Sequence, residues 1–76
     1  MPGSEEQFIV GGPAKALAEK LEVLEEDPKT NVLQVQGTAA APSLLVVETE
    51  PDHAEKLKKK FGKSVVIEPN FPVEPL

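Results

Sequence analysis

The sequence predicts an α+β fold: a ferredoxin-like β-α-β-β-α-β sandwich, with a four-stranded antiparallel sheet and two helices on one face. Three observations predict it. Short β-favouring apolar runs alternate with two segments of helical periodicity. Glycine or proline punctuates most of the junctions between them. The length of 76 residues permits one small domain. With right-handed crossovers, that order of elements leaves few other arrangements.

Phe8-Ile9-Val10 is the first strand run, stopped by Gly11-Gly12-Pro13. Pro13 suits the opening turn of a helix. Ala14, Leu17, Ala18, Leu21 and Leu24 then follow the spacing of one helical face, with Lys15, Glu19, Lys20, Glu22, Glu25 and Glu26 between them. Asp27-Pro28 ends this helix, because the residue before a proline is pushed out of the α region. The second strand spans 31–36 and closes at Gly37; 38–42 form a small-residue loop. The third strand spans 43–49 around Leu44-Leu45-Val46-Val47. A second helix begins near Pro51, where Thr49 and Asp52 have the spacing of a capping box. Ala54, Leu57 and Phe61 share its apolar face, and Lys58, Lys59 and Lys60 suit its carboxyl end. Gly62 is placed as the C-terminal cap. Val65-Val66-Ile67 is the fourth strand, with Pro69 ending its regular pairing. The domain is expected over residues 7–70, with a flexible leader over 1–6 and an extended tail over 71–76.

Composition narrows the function. The formal charge of −5 argues against binding nucleic acid, where basic residues must displace counterions, and against an anionic membrane surface. No apolar run approaches the roughly 20 residues of a membrane span, and no signal-peptide pattern opens the sequence. There is no cysteine, so neither a disulfide framework nor a thiolate metal site is available. His53 is the only histidine and is expected to be an exposed residue at the start of the second helix. Catalysis would need His53 beside Ser4, Ser43 or Ser64, none of which sits in a nucleophile-elbow context. Gly11-Gly12-Pro13-Ala14-Lys15 lacks the spacing of a phosphate loop. No enzyme, cofactor or metal is expected.

The strands suggest a binding surface instead. With two helices on one face, the other face of the sheet should alternate to polar residues. Yet three strands carry consecutive apolar residues, and successive side chains point to opposite faces. Some of these residues must therefore point away from the helices, onto a face suited to docking on another protein. The last segment, with prolines at 69, 72 and 75, favours an extended rod that can lie in a groove.

The opening Phe8-Ile9-Val10, the order of elements and the closing Val66-Ile67-Glu68-Pro69-Asn70-Phe71 resemble the propeptides of subtilisin-like serine proteases and their free-standing inhibitor relatives. The chain departs from that pattern at Gly11-Gly12, and at Gly37 to Pro42, where the usual Gly-Phe pair is missing. The resemblance implies a protein partner, a subtilisin-like serine protease, with the free domain a monomer. The open sheet face would pack on two surface helices of the protease, and Glu48 and Glu68 would cap the amino ends of those helices. The tail, Phe71, Pro72, Val73, Glu74, Pro75 and Leu76, would lie in the cleft as an added strand. Leu76 would fill the pocket before the scissile bond, and Val73 the hydrophobic pocket further back. The chain would inhibit as a bound product and, as a propeptide, act as an intramolecular chaperone. Localisation would be extracellular for an excised propeptide of a secreted protease and cytoplasmic for a free-standing inhibitor. A second reading stays open, in which this is a ferredoxin-like regulatory or scaffolding domain that self-associates or binds a small metabolite.

Overall fold

A computed structural model describes residues 5–70. The elements are β1 (Glu6–Gly11), α1 (Ala14–Glu26), β2 (Asn31–Gly37), β3 (Pro42–Thr49), α2 (Pro51–Phe61) and β4 (Val66–Pro69). The strands form one antiparallel sheet in the order β2-β3-β1-β4. This is the ferredoxin-like arrangement that the sequence predicts. β1 and β3 are central, with β2 at one edge of the sheet and β4 at the other.

The two helices cover one face. Leu17, Leu21 and Leu24 of α1 and Ala54, Leu57 and Phe61 of α2 meet Phe8, Val10, Leu45, Val47, Val65 and Ile67 in a single core. α1 lies over β3 and β2, and α2 touches β4. Lys20 Nζ of α1 stands over the Phe61 ring of α2, 5.3 Å from its centre, a cation–π contact between the two helices. The buried stripe of α1 is narrower than its sequence spacing suggests. Ala14 is exposed and Ala18 only half-buried, so the buried residues of α1 are Leu17, Leu21 and Leu24.

Register explains the burial pattern. Phe8 lies opposite Val47 and Pro69, and Val10 opposite Leu45 and Ile67, which makes two rows of apolar pairs beneath the helices. β2 continues those rows with Val32 beside Val47 and Val35 beside Leu45. Two core-facing residues three positions apart require an extra residue between them. The register indeed shifts between Val32 and Gln34, leaving Leu33 as a β-bulge. At the end of β2, Gly37 has φ 88, and a Cβ there would stand 2.9 Å from the Ala41 carbonyl oxygen. Only glycine closes this hairpin without displacing backbone.

Several boundaries differ from the sequence reading. β1 starts at Glu6, inside the expected leader, and runs through Gly11, because Gly11 still pairs with Val66. β4 begins at Val66, whereas Val65 is buried just ahead of it. Pro69 does not end the pairing. It occupies a place in the ladder opposite Phe8, and Asn70 N–H still donates to the Gln7 carbonyl at 2.8 Å. A proline, which has no N–H to donate, is tolerated there because β4 is an edge strand and the Pro69 nitrogen is on the side away from β1, where no strand pairs.

Candidate functional site

The sheet face away from the helices is the first candidate. Each of its residues is fixed by the register that buries its neighbours. Ile9 lies between Val46 and Glu68, and Val46 lies between Ile9 and Gln34, forming one row across the sheet. Gln7 lies beside Glu48, and Glu48 beside Asn31, forming the next row. Leu44 pairs with Gln36, and Val66 with Gly11, towards the opposite end. Ile9, Leu44 and Val46 are half-buried by one another and their polar neighbours, whereas Val66 is 59% exposed and the bulged Leu33 47% exposed. The face thus has an apolar centre within a frame of Gln7, Gln34, Gln36, Glu48 and Glu68. Such a centre within a polar rim is how binding surfaces are built.

The sequence-predicted carboxylates both fall on this face. Glu48 is half-buried on the central strand β3 and Glu68 is exposed on the edge strand β4, one row apart. Beside them, Asn70 Nδ2 donates to Gln7 Oε1 at 3.3 Å, reinforcing the main-chain bond that holds Asn70 to β1. The chain therefore leaves the sheet from its β4 edge, at the end where both carboxylates sit. The tail residues Phe71, Pro72, Val73, Glu74, Pro75 and Leu76 lie outside the described residues.

A second cluster was only partly legible in the sequence. Thr49 does not form a capping box with Asp52. The N-cap of α2 is Glu50, with no side-chain cap. Thr49 is instead fully buried, and its Oγ1 donates to the Lys29 carbonyl at 2.9 Å. His53, expected to be exposed, is half-buried, and its Nε2 donates to Asp27 Oδ2 at 2.6 Å. The same carboxylate accepts from Thr30 Oγ1 at 3.0 Å and, through Oδ1, from Lys29 N–H at 2.9 Å. Thr30 and Thr49 hydroxyl oxygens stand 3.5 Å apart, each with its proton committed elsewhere. Asp27, the C-cap residue of α1, thereby ties the turn into β2 to the first turn of α2. Among the described residues no buried side-chain polar atom lacks a partner.

A histidine–aspartate pair invites a catalytic reading, and next to it a cleft of about 480 Å³ is lined by Val23, Asp27, His53, Lys56, Leu57 and Lys60, among others. No nucleophile completes it among the described residues. Ser43 is the second residue of β3 and Ser64 precedes β4, both at the end of the sheet opposite Thr49 and His53. The threonine hydroxyls are bound within the network. No group of three metal-ligating side chains comes together among the described residues, and no helix among them is long and apolar enough to cross a membrane. What the geometry supports is a latch between the two helices.

The latch has a pH signature. Burial acts to raise the Asp27 carboxyl, but the hydrogen bonds from His53, Lys29 N–H and Thr30 together outweigh it and hold the group below its ordinary range. A carboxyl lowered in the folded state contributes stability in full above the unfolded pKa of about 4, and that contribution disappears as pH falls through the folded value. Asp27→Asn should therefore cost about 1 kcal/mol at pH 7, and its deficit should shrink as pH is lowered below about 4. Urea titrations of both proteins across that range measure it; a deficit independent of pH would mean that the carboxylate charge plays no part.

Compared with family models, curated proteins and solved structures, the chain matches none.

Proposed function

We propose that this domain binds and blocks a subtilisin-like serine protease, with the open sheet face docked on the protease surface and residues 71–76 laid in the substrate cleft. The observation that carries the reading is the coincidence of three features on one side of the molecule. An apolar centre at Ile9, Leu44 and Val46 faces away from the helices. Glu48 and Glu68 flank it, and the chain departs towards its C-terminus from the adjoining edge strand.

Each feature has a physical role in such a complex. The apolar centre gains by leaving water. The two carboxylates suit the amino ends of helices, whose unpaired N–H groups and dipole favour negative charge. Residues 71–76, kept near the cleft by the docked sheet, would act at high effective concentration, so a product-like end would stay bound. In a precursor the same contacts would favour the native protease over its unfolded chain, which is how a propeptide serves as an intramolecular chaperone.

Titrating a broad-specificity subtilisin with the full-length chain tests the reading. Stoichiometric loss of peptidase activity at submicromolar concentration is expected. Full activity with the chain present at tens of micromolar would refute it.

A further inference from the structure

The two edges of the sheet are built differently. β4 is only four residues long and carries Glu68 and Pro69, all of which discourage another strand from adding there. β2 is seven residues long, with no proline and no charge. The absence of charge extends well beyond β2: no Asp, Glu, Lys or Arg occurs from Thr30 through Val47, in a chain in which 28% of residues are charged. That uncharged stretch is the whole β2–β3 hairpin except the end of β3. The apolar side chains of β2 are also incompletely covered on both faces, with Val32 and Val35 half-buried on the helix side and Leu33 47% exposed on the other. Depletion of charge together with half-covered apolar groups marks the centre of an interface.

We propose that β2 pairs antiparallel with β2 of a second copy of this chain, joining two four-stranded sheets into one across a two-fold axis. Charge selects this occupant. Two molecules of charge −5 repel, and only a neutral edge lets them approach without setting carboxylates against each other. Self-complementarity fixes the register. Setting Val32 opposite Val35 of the second copy places Asn31 opposite Gln36 and Leu33 opposite Gln34. Because of the bulge at Leu33, every one of these pairs falls on a common face: Val32 and Val35 on the helix side, the other four residues on the open side. The valines of the two copies then cover each other, the Asn31 and Gln36 amides face each other, and Leu33 lies along the Gln34 side chain. This contact lies at the edge opposite β4 and leaves the apolar centre at Ile9, Leu44 and Val46 unpaired, but it replaces the monomer expected of the free domain.

Sedimentation analysis of the full chain tests the proposal. The mass should rise from 8.2 kDa towards twice that value with a micromolar midpoint, as befits a small interface. Leu33→Lys with Gln36→Lys places charges across the two-fold and should raise the dissociation constant at least tenfold while leaving the circular dichroism unchanged. As the chain has no cysteine, copies carrying Asn31→Cys mixed with copies carrying Gln36→Cys should form the mixed disulfide in preference to either symmetric one. A mass of 8.2 kDa at every concentration would overturn the proposal. So would a dimer indifferent to the two lysines, or one broken by Val46→Lys on the open face but not by the edge changes.

Discussion

Leu45→Ala should destabilise the isolated domain by about 2–5 kcal/mol, whereas Val46→Ala, one residue further on, should shift stability by less than about 1 kcal/mol. Leu45 is fully buried on the central strand β3, between Val10 of β1 and Val35 of β2, beneath the helices. Truncating it removes buried methyl groups and leaves a cavity that two helices and three strands cannot easily collapse, a change worth about 2–5 kcal/mol. A domain of this size has only about 4–11 kcal/mol in total and buries a modest share of its surface. Val46 faces the other way and is already half-exposed, so its truncation removes little that water did not already reach. Urea denaturation followed by circular dichroism separates the two; equal losses from both variants would mean that the open face is itself part of a folded core.

On the protease reading, two changes should each weaken inhibition by a factor of about 100 or more, through different halves of one binding site. Ending the chain after Asn70 removes the segment that would occupy the cleft and keeps every pairing of β4 with β1 among the described residues, including the Asn70 N–H to Gln7 bond. Val46→Lys leaves the tail intact and puts a cation at the centre of the open face, in the row of Ile9, Gln34 and Glu68. The lysine stem can lie along its neighbours while the ammonium reaches water, so the free domain should still fold. Docked against an apolar surface that ammonium would be stripped of water, and binding would suffer. Because the two halves reinforce each other through effective concentration, losing either should cost far more than its contacts alone. Inhibition constants against the same subtilisin measure both. If truncation abolished inhibition and Val46→Lys did not, the sheet face would have no role in the complex. If truncation left the chain's other associations unchanged while inhibition was never seen, the scaffolding or metabolite-binding reading would take its place.

The order and type of all six elements were legible in the sequence because their signals are local. Leu17, Leu21 and Leu24 repeat at helical spacing, Gly62 with φ 65 stops α2, and β-favouring runs bounded by glycine and proline make the strands. Local reading also implied an apolar open face, since consecutive residues such as Leu44-Leu45-Val46-Val47 cannot all point inward. It did not show which residue faces which way. That depends on register, and in β2 register depends on the bulge at Leu33, which appears only when β2 is laid against β3. The same limit explains two of the local expectations that failed, the Thr49 cap and the exposed His53. A capping box competes with any better partner, and for Thr49 the Lys29 carbonyl, twenty residues earlier, comes within 2.9 Å once α1 and β3 pack. His53 and Asp27 stand twenty-six residues apart and meet only because the end of α1 and the start of α2 lie side by side. Sequence alone determined a ferredoxin-like sheet with a surplus of apolar surface. Tertiary structure decided which side chains form that surface and which polar groups are drawn inside, because hydrogen bonds and pairings between distant segments exist only after the chain has folded.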